Sequence, residues 1–148
     1  MLRVIVGLAA LAVGATVVLA QNTAAIGQRK DAMKALGAAA KDPGAIAKGD
    51  AAFDLAKVQA SLKSLEATAA KGKTVFPDDS KDGDTAALPV AFTNKADLFA
   101  KFDKLAADAK AAQAAVKDEA SFKTEWPKVI ANCGGCHKVY RKPPPQKS

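Results

Sequence analysis

The sequence predicts an all-α fold, a four-helix bundle, on three observations. Alanine supplies much of a composition that is 49% hydrophobic but only 5% aromatic, with β-branched residues sparse, which favours helix over strand. Apolar positions recur at alternating steps of three and four. Proline and glycine cluster between those periodic stretches. At 148 residues the chain suits one domain, with no room for a second core.

Helix A is expected from about Asn22 or Thr23 to Ala40, with Ile26, Met33, Leu36 and Ala40 on one face. Asp42-Pro43-Gly44 ends it, and Pro43 suits the first turn of the next helix. Helix B then covers about Ala45 to Ala70 on a stripe of Leu55, Val58, Leu62 and Leu65, with Gly72 just past its end. Residues 71–94 carry Pro77, Gly83, Pro89 and the polar run Asp78-Asp79-Ser80-Lys81-Asp82, the composition of a long surface crossover. Helix C follows to about Lys117 on Leu98, Phe102, Leu105, Ala109, Ala112 and Val116. Helix D spans about Glu119 to Arg141 on Phe122, Trp126, Val129, Cys133, Cys136 and Tyr140. Pro127 should kink that helix or delay its start to the Trp126 region. The Lys-Pro-Pro-Pro tail from Lys142 cannot extend it. Four amphipathic helices with two short turns and one long crossover can bury their stripes together as a bundle.

Residues 1–20 read as a secretory signal peptide: Arg3, an apolar run from Val4 to Leu19, and small residues Val18 and Ala20 before a cut at the polar Gln21-Asn22-Thr23. The competing reading is an uncleaved anchor, since the run approaches the roughly 18 to 20 residues that cross a bilayer. Cleavage after Ala20 would leave residues 21–148 as the mature domain, outside the cytoplasm. The net charge of +7, less one for Arg3, favours encounters with acidic partners. Nucleic-acid binding is a poor fit, because the lysines are dispersed among Asp and Glu and no basic block is interleaved with aromatics.

Residues 133–137 read Cys-Gly-Gly-Cys-His, the C-x-x-C-H pattern of covalent haem attachment. Thiols three apart on a helix share a face, where each can add to a haem vinyl group. The adjacent His137 can turn its imidazole to the iron. Gly134 and Gly135 would let the backbone approach the porphyrin edge. A redox C-x-x-C pair, a structural disulfide or a zinc site fits less well. The first wants a βαβ context, and zinc wants more ligands than the two Cys and one His of this chain.

The segment Cys133-Gly-Gly-Cys-His137-Lys-Val-Tyr140-Arg141, near the C-terminus of a helical chain, resembles the class II c-type cytochromes, the cytochrome c prime family. Arg29-Lys30-Asp-Ala-Met33-Lys34, Leu88-Pro89 and Asn94-Lys95-Ala96 extend the likeness over the mature chain. Lys30 departs from it, where many relatives have Gln. The resemblance implies an antiparallel four-helix bundle holding one haem c, and family members often pair as dimers. It puts Met33 on the distal side of the iron, as a ligand in the low-spin branch. High-spin members carry a non-ligating residue there. It also suggests that Arg29 pairs with a haem propionate and that Arg141 borders the proximal face. A solvated charge for Arg29, a helix cap for Arg141 and flexible packing for Met33 are the alternatives. Trp126 and Tyr140 could pack on the porphyrin or simply fill the core.

These readings point to a periplasmic electron-transfer protein with His/Met-ligated iron, serving redox partner proteins. The alternative is a five-coordinate haem that binds nitric oxide or carbon monoxide. A peroxidase is disfavoured, because that chemistry wants a distal acid–base group and the one His is committed to iron.

Overall fold

The computed structural model describes residues 13–144, with side chains from residue 23 onward. Its helices are α1 (Val13–Ala39), α2 (Lys41–Lys48), α3 (Leu55–Lys71), α4 (Val90–Thr93), α5 (Lys95–Ala115) and α6 (Glu119–Tyr140). The four long helices α1, α3, α5 and α6 build the bundle, α3 packing on α1 and α5, and α5 on α6. Among the described residues no helix is long and apolar enough to cross a membrane. Most of the expected signal segment, residues 1–12, lies outside the described residues. The helix expected to begin at Asn22 or Thr23 is already formed at Val13, the first described residue, since nothing between Gly14 and Thr23 breaks a helix.

Helix B is two helices, not one. Gly49, at φ +82°, closes α2 in the left-handed conformation. The Gly49 and Asp50 amides then donate to the carbonyls of Ile46 and Ala45. After a six-residue break, residues 49–54, the Asp54 side chain accepts from the Lys57 amide and caps α3. Leu55, expected in the stripe, sits in the exposed first turn. Val58, Leu62, Leu65 and Ala69 carry the stripe and are fully buried. Each large side chain among them contributes roughly 1.5–3 kcal/mol.

Helix D starts where the sequence places it, without the delay expected from Pro127. A reciprocal capping box of Asp118 and Ser121 opens α6 at Glu119, and the helix runs through Pro127. The cost of Pro127 is the bond it cannot donate to the Lys123 carbonyl. Gln59, from α3, donates to the carbonyls of Gln113 and Val116 and so satisfies the C-terminal end of α5.

The core has two parts. A helical cluster joins Leu36, Ile46, Val58, Leu62, Leu65, Leu105, Val116, Phe122, Trp126 and Val129 with small alanines. A crossover cluster joins Val75, Phe76, Ala91 and Phe92 with Leu98, Phe102 and Tyr140. The crossover is therefore more than a surface loop. It holds 3-10 turns at Gly72–Val75 and Asp78–Ser80 and the short α4, and it buries Val75, Phe76, Ser80, Thr85 and Phe92. Gly72 is needed for fit rather than for stopping a helix, because a Cβ there would lie 2.3 Å from the Phe102 ring. The far end of the crossover is bound to the end of α6. Ala87 and Arg141 form an antiparallel bridge, the Leu88 amide donates to Tyr140 O and the Lys142 amide to Ala86 O.

Candidate functional site

The last three turns of α6 present Cys133, Cys136 and His137, all half-buried. Both cysteines are free thiols, and burial pushes both above the ordinary cysteine range. His137 is pushed the other way, by burial first and by the nearby Arg141 charge second. The imidazole is thus held neutral at pH 7, the form that ligates metal. Gly134 and Gly135 face open space, with no protein atom within 4 Å of a Cβ built on either, so the surrounding chain places no demand for glycine there.

Tyr140 and Cys136 both pack in the crossover cluster. The Tyr140 hydroxyl donates to Asp97 Oδ2 at 2.5 Å. Burial and that carboxylate raise the phenol to about 12, and the same bond holds Asp97 below the usual carboxylate range. Trp126 belongs instead to the helical cluster, 6.1 Å from Phe122 and nearly parallel to it. Of the two aromatics weighed as porphyrin contacts, Tyr140 packs with Cys136 and Trp126 fills the core.

Met33 lies half-buried on α1, packed against both clusters, and so meets the same apolar group as Cys136. Arg29, one turn earlier, is 5% exposed, which overturns the solvated-charge alternative. Its Nη1 donates to Val75 O (2.7 Å) and Ser80 Oγ (3.0 Å), and its Nη2 to Ser80 O (2.9 Å) and Thr85 Oγ1 (3.1 Å). The rings of Phe76 and Phe92 lie 4.9 and 5.3 Å from its guanidinium carbon. Arg141 stays exposed beyond the end of α6, its amide donating to His137 O at 3.3 Å. The sequence reading passed over Ser80, Thr85 and Asp97. Only Phe76 and Phe92, two large apolar residues in a polar crossover, offered a signal that this segment folds inward.

The donor set fits haem c. Two free thiols one turn apart share a helix face beside a neutral imidazole, and an apolar cluster adjoins them. Among the described residues no group of three or more His, Cys, Asp and Glu could hold a bare metal ion. Fold and site together define a helical-bundle c-type cytochrome.

Residues 24–141 match the family model for cytochrome c', and the chain belongs to the cytochrome c' family, whose members carry covalently attached haem c with its iron. It is 46% identical over 121 residues to cytochrome c' of Rhodopseudomonas palustris, covering 81% of this chain and 83% of that protein. It is 36% identical over 115 residues to cytochrome c-556 of Agrobacterium fabrum, covering 77% and 78%. The solved structure of Rhodopseudomonas palustris cytochrome c' superposes with a TM-score of 0.78 over 80% of this chain and 96% of that one. That likeness bears out the four-helix bundle expected from the stripes.

Proposed function

We propose that the protein is an exported, single-haem electron carrier in which Cys133 and Cys136 form the thioethers and His137 and Met33 are the axial ligands. The observation that carries this reading is the position of Met33 on α1, against the same apolar cluster as Cys136. Haem supplies a one-electron couple when bound. His137 offers a neutral nitrogen and Met33 a soft thioether sulfur, a pairing that favours the reduced state and raises the potential. Because both side chains stay in place through the couple, few atoms move. The basic surface steers acidic redox partners, and residues 1–20 act as the export signal, leaving a periplasmic product.

Similarity over about four-fifths of the chain favours a second reading. The 46% relative is a cytochrome c', whereas the c-556 relative above stands at 36%. On that reading the haem is five-coordinate and binds nitric oxide or carbon monoxide, with Met33 only lining the distal side. Met33 is the residue on which the two part.

Optical spectra of both oxidation states, with and without carbon monoxide, separate them. The electron-carrier reading expects a low-spin ferric protein with a weak sulfur-to-iron absorption. Met33→Ala abolishes that band, turns the haem high-spin, admits carbon monoxide and lowers the potential. A native protein already high-spin and rapidly bound by carbon monoxide gives the second reading first place. For attachment, haem-stained denaturing gels should lose most of their signal in Cys133→Ala and in Cys136→Ala. Full staining in both variants refutes the thioether assignment.

A further inference from the structure

Cys136 belongs to two unlike surroundings. It packs in the apolar crossover cluster with Met33 and Tyr140, and it also lines a groove of about 480 Å³ between α5 and α6. Among the described residues no other is common to the two. Lys101, Lys104 and Asp108 form the α5 side of the groove. Lys128, Ala131, Asn132 and Gly135 form the α6 side, and the Asn132 amide donates to Asp108 Oδ2 at 2.7 Å, tying the two helices there. These α6 positions recur at steps of three and four. One step further lies Val139, 42% exposed, the most exposed large hydrophobic side chain among the described residues. Ala131, Gly135 and Val139 thus make an exposed apolar strip beside the groove.

The charges around that strip are layered. Lys104 Nζ meets Asp108 Oδ2 at 2.6 Å and Lys128 Nζ meets Glu125 Oε1 at 2.7 Å. In both pairs the lysine is the outer partner, 66% exposed against 25% and 60% against 20%. A carboxylate arriving from outside therefore meets ammonium first. Lys101 pairs at 3.5 Å with Asp97, whose carboxylate also accepts the Tyr140 hydroxyl. Lys138, next to Val139 and exposed, has no carboxylate within salt-bridge distance among the described residues. Ion pairs on a wet surface hold little energy, so these lysines can turn to a new partner at small cost.

We propose that the α5–α6 groove is the docking face for the acidic surface of a redox partner protein. Lys101, Lys104, Lys128 and Lys138 meet its carboxylates, and the strip of Ala131, Gly135 and Val139 supplies the dry contact, an apolar centre with a polar rim. Electrostatic steering brings the partner in, and a small contact lets it leave after one electron has passed. A second copy of this chain fits less well, because a two-fold pairing would set this face on itself, lysines against lysines. The proposal rests on the electron-carrier reading above, since it sets the partner against Cys136, one of the two residues that reading joins to haem.

The test uses holoprotein and two probes. The first is the paramagnetic trianion hexacyanochromate(III), added to ferrous protein kept diamagnetic, with carbon monoxide where the iron accepts it. Amide signals of residues 101–108 and 128–139 should broaden before all others. Even broadening, or broadening centred on the exposed Lys57 and Lys63 of α3, overturns the proposal. Groove signals that shift with protein concentration alone give the face to a second copy and overturn it too. The second probe is an acidic flavodoxin in its hydroquinone form, which loses one electron as the ferric iron gains one. Lys104→Gln with Lys128→Gln should slow that reaction at least about fivefold at low ionic strength, and the difference should close in high salt. Lys57→Gln with Lys63→Gln removes the same charge elsewhere and should change the rate less than about twofold. Equal slowing in both variants leaves only the field of the whole protein and refutes a docking face. The trianion map on unmutated protein needs no variant to fold. A five-coordinate native haem would overturn the role of Met33 without altering that map, so the two readings fail separately.

Discussion

The two halves of the core are built on different rules. The helical cluster comes from stripes on α1, α3, α5 and α6, contains no buried polar group and is dominated by Leu, Val and Phe122. The crossover cluster draws on a segment with little regular structure. It stands next to Arg29, Ser80 and Thr85, the buried polar residues among those described, and next to Asp97. The haem-attachment motif lies at the second. Periodic packing yields a rigid platform. Irregular backbone, whose polar groups need partners, makes the shaped and polar surroundings that a cofactor requires.

Four substitutions press on this contrast. Phe122→Ala, in the helical cluster, should cost the most, about 3–5 kcal/mol. The thermal midpoint falls while the haem spectrum holds its band positions. A spectrum that shifts as much as the stability would show that the two halves are one unit.

Gly72→Ala strikes the seam, where a methyl group meets the Phe102 ring at 2.3 Å. The expected loss is about 1–3 kcal/mol, read by denaturant midpoint. Gly134→Ala is its counterpart on α6, with open space beside it, and should leave stability level or raise it by up to about 1 kcal/mol. A fall in haem content for Gly134→Ala would mean that the cofactor, rather than the chain, requires glycine there.

Tyr140→Phe is the smallest expected loss, about 1 kcal/mol for the hydroxyl that donates to Asp97. Its pH profile has two edges. Asp97 is lowered in the folded state, so its contribution is present above the ordinary carboxylate value and disappears as pH falls through the lowered one. Tyr140 is raised from 10.0 to about 12, so its contribution is complete below 10 and disappears as pH climbs toward 12. The native protein and Tyr140→Phe should therefore differ most on a plateau between those edges and converge beyond both. A difference that is flat from strong acid to strong base would remove the bond from the account.

How much of this was legible in advance divides along the same line. The stripes of α3, α5 and α6 could be read from the sequence, Leu55 excepted, because a helix buries one face and its period is local. The Cys133, Cys136 and His137 motif was legible for the same reason, being set by spacing along one helix. The break at Gly49 was within reach, since Gly49 and Asp54 are a stop and a start signal, but the unbroken Ala and Leu pattern on either side masked them.

By itself, then, the sequence determined the helical class, the short turn before α6, most of the core faces and the segment proposed to attach haem, all properties of residues within a few positions of one another. Only the tertiary structure decided that Arg29 is buried, that Ser80 and Thr85 receive it, that Tyr140 finds Asp97 and that Gly72 makes room for Phe102. Those pairings join residues 30 to 56 apart, and all but the one between Tyr140 and Asp97 use the irregular crossover. No periodicity reports them, because a buried polar side chain is matched by whichever partner the folded chain brings within about 3 Å of it.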